Sequence, residues 1–213
     1  MTSLPASAAT APPEASATAR TPATDVPAGS GTGGSDHGGG VDDRPRVRRI
    51  RPTDTARMRA LRLEMLADAP LAFLETVAEA AARPHAEYAS RVRQNAFGSQ
   101  IAAFVADPPS GHPDGRLLGH AGGHAVPAEP GLTVIFAVYL TPARRGTGLL
   151  TDLIEAVAAW SRASGRPELM LEVVVGNDRA IRAYQRLGFV DTGVRLPHPR
   201  IPTLTELQMR RRA

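Results

Sequence analysis

The sequence predicts a mixed α/β (α+β) domain: a mostly antiparallel central sheet of six to seven strands flanked by about four helices, behind an N-terminal tail. Three observations lead there. Runs of β-branched and aromatic residues bounded by Gly, Pro and Asp mark strands in the middle and at the end of the chain. Apolar residues recur at helical spacing on either side of the middle block. Residues 1–43, mostly Ala, Thr, Pro, Ser and Gly, carry almost nothing that could offset the entropy of ordering a backbone, so they read as a disordered tail.

The folded part covers residues 44–213. Residues 47–51 read as a short first strand. Asp54 offers an N-cap to a helix in which Met58, Leu61, Met65 and Leu66 share a face, and Asp68-Ala-Pro ends it. Residues 71–82 are helix-prone without a clear pattern. Pro84 suits the first position of a further helix running to about Gln94. Residues 100–106, 117–125 and 132–140 read as an antiparallel meander, the second strand interrupted by Gly122 and Gly123. Leu149, Leu153, Val157 and Trp160 then mark a helical face that Gly165 stops. Residues 169–175 form an apolar run broken only by Glu172, which predicts a strand buried on both faces. A helix over residues 177–187 follows, with Gly188 after it. Residues 189–194 and 204–209 close the chain as two strands.

Composition removes several chemistries. There is no cysteine, which excludes disulfides and thiolate nucleophiles. All 25 basic residues are arginine. Residues 1–43 carry net −4 and residues 44–213 net +8. That excess would favour an anionic ligand, although a solvated basic surface is the simpler account. Nucleic-acid binding is not expected, because a basic helix, clustered stacking aromatics and metal fingers are all missing. No run approaches the roughly 18 apolar residues of a membrane span. The first residues lack the basic start and apolar segment of a signal peptide. The expectation is a cytoplasmic protein that does not act at a membrane.

The chemistry lies in two motifs. In the first, a strand leads through Arg144-Arg145-Gly146-Thr147-Gly148 into a helix. Free N–H groups at a helix start bind phosphate, and glycines let the backbone approach it. Taken alone this is weak, since such a turn needs glycine for its geometry. A P-loop is excluded by the lack of lysine, and Thr151 stands where a dinucleotide fingerprint needs its third glycine. The second motif is Leu171-Glu-Val-Val-Val-Gly-Asn177 followed by Ala180, Tyr184 and Leu187-Gly188-Phe189.

In this order and spacing the two motifs resemble the GNAT superfamily of acyl-CoA-dependent N-acetyltransferases. Leu140, Pro142, Arg145, Gly146 and Gly148 fit its cofactor motif. Leu171, Val173, Asn177, Ala180, Tyr184, Gly188 and Phe189 fit the one that follows. With flanking similarity at residues 49–54 and 204–209, the resemblance covers nearly all of residues 46–210. It implies an enzyme that moves an acetyl group from acetyl-CoA directly to an amine, on a small molecule or a protein, with no metal. A homodimer is compatible with it.

The resemblance also implies the site. The cofactor strand and its neighbour would splay apart, and the pantetheine arm would pair with the backbone of Val138, Tyr139 and Leu140. Its pyrophosphate would rest on the amides of Gly146, Thr147, Gly148, Leu149, Leu150 and Thr151, with Arg145 adding charge. Asn177 would bind the cofactor or its water, and Tyr184 would protonate the departing thiolate. Each has a plainer role: Asn177 is a good N-cap, Tyr184 a packing residue, Arg145 a surface charge. The acceptor would meet residues 68–90 and 195–204, which include Phe73, Glu75, His85, Glu87, Tyr88, His198 and Arg200.

Two departures matter. Leu150 replaces the small residue usual at the end of the cofactor loop. Residues 132–140 lack the acid that some members carry there, so the base is open among His120, His124, Glu172 and a water chain. These departures support the alternative of a non-catalytic acyl-CoA sensor with the same fold.

Overall fold

The structure is a computed structural model describing residues 44–109 and 115–213; the predicted tail lies outside the described residues. In chain order the elements are β1 (Arg46–Arg49), α1 (Thr55–Asp68), α2 (Val77–Ala82), α3 (His85–Phe97), β2 (Ile101–Asp107), β3 (Gly119–Val126), β4 (Glu129–Leu140), α4 (Leu149–Ala163), β5 (Glu168–Val174), α5 (Asp178–Arg186), β6 (Val190–Pro197) and β7 (Thr205–Arg212). Single 3-10 turns, Pro52–Asp54 and Pro142–Arg144, precede α1 and the loop to α4. The seven strands form one sheet in the order β1-β2-β3-β4-β5-β7-β6. Every neighbouring pair is antiparallel except β4 with β5. The expected meander is β2–β3–β4.

The helix beyond the expected four is α2, in the stretch whose pattern is ambiguous. A capping box starts it: the Thr76 hydroxyl accepts from the Glu79 N–H, and the Glu79 carboxylate accepts from the Thr76 N–H at 2.7 Å. Asp54 precedes α1 as expected, but its carboxylate does not cap the helix. It is buried and accepts from Arg48, Arg57 and the Arg51 N–H. Arg48 and Arg57 take the place of the first α1 amides at this carboxylate, because a charged donor makes the stronger bond.

The sheet separates two cores. On one face, Leu153, Ile154 and Val157 of α4 pack against Ala102, Phe104, Ile135, Leu169, Leu171 and Met209. Full burial of each such aliphatic side chain contributes about 1.5–3 kcal/mol. On the other face, α1 and α3 cover β2 and β3 through Leu61, Met65, Val92, Ala103, Val105 and Leu117. Gly122 and Gly123 are needed on both faces. A Cβ at 122 would sit 2.3 Å from the Phe136 ring, and one at 123 would sit 2.8 Å from Val157.

The expectation that β5 is buried on both faces holds for its first half, where Met170 is buried opposite Leu169 and Leu171, and fails beyond it. Leu169, Leu171 and Val173 point into the α4 core. By alternation Met170, Glu172 and Val174 point the other way, and there Glu172 is exposed and Val174 half-buried. Helices α1 and α3 leave this half of the face open.

Candidate active site

Strands β4 and β5 pair over three positions only, Leu132 with Glu168, Thr133 with Leu169 and Val134 with Met170. A polar knot fastens that end. The Arg166 guanidinium donates to the Thr133 hydroxyl at 3.0 Å and lies 4.5 Å from the Trp160 ring. Thr133 and Ser161 share a hydrogen bond of 2.7 Å, and Ser161 donates to the Arg166 carbonyl. Past Val134 the strands part.

One extra residue in β4 accompanies the parting. Opposite β3, Gly122 pairs with Phe136 and His120 with Tyr139, so Ala137 and Val138 together face Ala121. A bulge of this kind bends its strand and increases its twist. Ala137 adopts φ +50°, the only positive φ of a non-glycine residue among those described. His120 holds it there: its Nδ1 lies 2.7 Å from the Ala137 carbonyl and, in the neutral ring, donates to it. Burial pushes the His120 imidazole down to about 4. Unfolded, it titrates near 6.5. Between those values the unfolded chain binds a proton that the folded one refuses, so stability falls as the pH drops through this window, by ~3 kcal/mol in full. Denaturant melts at pH 7 and pH 4.5 check this. His120→Gln should lose most of the pH slope, and an unchanged slope would argue against the buried neutral ring. His120 is thus a structural prop.

At the far end of β4 lies the predicted anion site. Arg144 and Arg145 return their N–H groups to Thr141 and Pro142, and the next backbone bond is Asp152 N–H to Gly148. Among the described residues none accepts from the amides of residues 146–151. Gly146 and Gly148 adopt φ +79° and +89°, where side chains are strained. Leu149 anchors the turn in the core at 2 % exposure, while Leu150 is half-buried. These six donors at the start of α4 are unclaimed, the arrangement by which a helix start can receive an anion. The Arg145 side chain is turned aside: it ion-pairs with Asp68 at the end of α1, donates to the Leu140 carbonyl at 3.3 Å and lies over Tyr139. The Tyr139 side chain is buried toward α1, its phenol pushed up to about 12 by burial and by the Glu64 charge. Val138 and Leu140 pack against the α4 core. The β5-facing edge of all three remains unpaired.

Asn177 caps α5, its Oδ1 accepting from the Ala180 N–H at 3.2 Å. Its amide nitrogen has no partner among the described residues. Tyr184 is half-buried, edge-on to Phe189 at 5.9 Å. Its hydroxyl has no hydrogen bond among the described residues, and burial holds the phenol well above its usual range. It stays protonated at neutral pH.

The open half of the sheet face begins where β4 and β5 part. Phe136 lies at its border, with Glu172 of β5 beside Glu206 of β7. Glu172 is paired with Gln208 and Glu206 with Val174, so the two carboxylates are diagonal neighbours. Desolvation by the sheet face, and for Glu172 the Glu206 charge, raise both above the ordinary carboxylate value. The connection from α1 to α2, residues 69–76, is tied near both ends. Its first end is tied by Asp68 to Arg145, beside the end of β4. Its other end is gripped by Arg200 of the β6–β7 loop, which donates to Leu74 O at 2.6 Å and to both Glu79 oxygens at 2.7 and 2.9 Å.

The family model described as the acetyltransferase (GNAT) family matches residues 72–189. The chain belongs to this family. The mycothiol acetyltransferase of Mycobacterium avium (strain 104) is 34 % identical over 94 residues, 39 % of this chain and 30 % of that protein. The chain therefore spans under a third of the curated relatives it matches. Solved structures share the fold. A GNAT acetyltransferase of Streptococcus pneumoniae superposes with a TM-score of 0.65 at 19 % identity, over 79 % of this chain and 98 % of that one. Arabidopsis thaliana NAA60 in complex with acetyl-CoA gives 0.60 at 19 % identity, with the same coverages.

For this GNAT chain the sequence-predicted residues fall into two groups. Residues 138–140 and 146–151 line one continuous edge from the parting strands to the helix start. Asn177 and Tyr184 belong to the helix that follows β5. Glu206 and Asp68 carry no sequence signal of their own. Glu206 becomes visible only through its cross-strand relation to Glu172, and Asp68 only through Arg145.

Proposed function

We propose that the protein is an N-acetyltransferase that moves the acetyl group of acetyl-CoA directly onto an amine, small or protein-borne. The observation that carries the reading is the gap past the Val134–Met170 pair, with unpaired β4 backbone along it and six free amides at its mouth. The residues fit the cofactor: an extended edge for an amide-containing arm, then a helix start for a diphosphate. Acetyl-CoA supplies the acetyl group as a thioester whose carbonyl is open to an amine.

Each protein group then has a defined task. The amides of residues 146–151 hold the diphosphate and residues 138–140 hold the arm. Asn177 caps α5 and offers its remaining N–H groups to the cofactor or its water. A backbone N–H of the unpaired β4 edge meets the negative charge that develops on the carbonyl oxygen. Glu172, exposed beside the gap and raised in pKa, takes a proton from the incoming ammonium. This reading fills the place left by the acid missing from β4. Tyr184 donates to the departing sulfur. Thiols have pKa about 8.5 and phenols about 10, so full transfer is uphill by at least ~2 kcal/mol. Burial of Tyr184 increases that cost, so it serves chiefly as a hydrogen-bond donor.

Release of free thiol from acetyl-CoA across a broad amine panel tests the activity. Tyr184→Phe should lower kcat by about 10²-fold, the lower end of the range for a positioned acid, with affinity for CoA retained. Unchanged turnover would remove Tyr184 from the reaction. Binding of acetyl-CoA without thiol release by any amine would instead make the protein a sensor.

A further inference from the structure

Among the described residues almost every side-chain carboxylate is ion-paired to arginine, as expected in a chain so rich in that residue. Three are not. Asp152 stands in the first turn of α4, where the helix dipole favours it. The other two are Glu172 and Glu206, side by side on the open sheet face. Of the β7 arginines sharing that face, Arg210 is committed to Glu129 and Glu168, and Arg212 stands at the far end of the strand, opposite Glu168. Arg200, in the β6–β7 loop, is committed to Glu79. Two adjacent carboxylates left without cations beside the gap suit a ligand that brings its own positive charge. They also repel one that brings a carboxylate.

A second, independent feature lies on the same face. Leu196 pairs with Glu206, and cross-strand partners share a face. Alternation places the next such side chain at His198, whose N–H bonds to Leu204. His198 is 2 % exposed. Its Nδ1 accepts from the N–H groups of Arg200 and Ile201 at 3.2 and 3.1 Å, so that nitrogen carries no proton and Nε2 does. Nε2 is buried without a partner. A buried donor left unsatisfied is costly and uncommon. Its Nδ1 edge faces its own loop, so the Nε2 edge faces away from that loop. The same loop grips the α1–α2 connection through Arg200, whose ion pair with Glu79 is solvent-exposed, and such pairs are weak.

We infer that the acceptor is a primary amine whose neighbouring carbon bears a neutral carbonyl, as in an aminoacyl amide or a peptide N-terminus, with Glu172 and Glu206 receiving the ammonium group and His198 Nε2–H the carbonyl oxygen. This rests on the acetyltransferase reading above. Glu172 takes one ammonium proton, the freed amine forms the N–C bond as the C–S bond breaks, and the second proton leaves the nitrogen to solvent. A free amino acid would press its carboxylate on two like charges. A diamine would leave the His198 N–H unsatisfied.

The test compares alaninamide, a short peptide beginning with alanine, alanine, isopropylamine and putrescine as acceptors, by thiol release from acetyl-CoA. Alaninamide should exceed alanine by about a hundredfold in kcat/KM, since alanine sets its carboxylate against two like charges, and should also exceed isopropylamine and putrescine, which leave the His198 N–H unpaired. Relative rates for alaninamide and the peptide separate a small acceptor from a protein one. His198→Asn keeps an acceptor for the loop amides but removes the outward N–H. It should raise KM for alaninamide about tenfold while leaving isopropylamine unchanged. Equal use of alanine or putrescine, or an equal loss on every amine in His198→Asn, would overturn the inference while leaving acetyl transfer intact. Should no amine release thiol, melting shifts in the presence of CoA decide. A shift with alaninamide that Glu172→Gln abolishes would uphold the site and remove the reaction, and no shift would remove both.

Discussion

Gly148→Glu should weaken acetyl-CoA binding by at least about a hundredfold while leaving the protein folded. The position has φ +89°, and nothing lies within 4 Å of a Cβ built there. The new side chain therefore meets no steric block, only the strain of a left-handed backbone, ~1–2 kcal/mol. Its carboxylate would find the free amides at the start of α4 and bond to them, which partly offsets that strain. Those are the donors proposed for the diphosphate. Losing two charge-assisted hydrogen bonds at about 1.5–3 kcal/mol each accounts for the hundredfold, before repulsion is counted. Gly148→Ala carries the strain without the charge and should lose far less. Titration calorimetry with acetyl-CoA on the three proteins decides it. Undiminished affinity in folded Gly148→Glu would mean that the diphosphate lies elsewhere.

Glu172→Gln should lower kcat by about 10²–10⁴-fold, the range for loss of a positioned base, with CoA affinity unchanged. It should also make the protein slightly more stable. The folded-state pKa of Glu172 lies above its ordinary value through desolvation and the Glu206 charge. A carboxyl raised on folding is held more tightly as the acid in the folded state, so stability falls as the pH rises through its folded pKa, and at neutral pH the ionised group is a penalty. Glutamine removes that penalty, an expected trade at a functional position. The acid limb of the kcat/KM profile should vanish in the variant. A full-speed variant, or one that melts lower than the parent at pH 7, would count against the assignment.

The order of the elements was legible because it rests on local signals. The β2–β3–β4 meander is written in β-branched residues, α4 in Leu149, Leu153 and Val157, and the stop after α5 in Gly188. What escaped depends on which partners the fold brings together. Asp54 looks like a helix cap until Arg48 and Arg57 are folded against it. Glu172 looks like a blemish in a buried strand until Glu206 arrives from β7 and every arginine within reach is committed elsewhere. His198 carries no pattern because its meaning lies in an unanswered hydrogen-bond donor, which only a folded loop creates. The turn before α4 was legible for the opposite reason. Glycine at positions 146 and 148 records a conformation directly.

Ala137 gives nothing away, as alanine suits a strand, a helix or a turn. Read without it, β4 alternates cleanly: Ile135, Val138 and Leu140 toward α4, Phe136 and Tyr139 toward α1. The interposed alanine leaves every neighbour on its proper side and only lengthens the strand by a step. The parting of the two strands thus goes with a count of residues more than with any chemical group, and a closed sheet and an opened one stand a single codon apart.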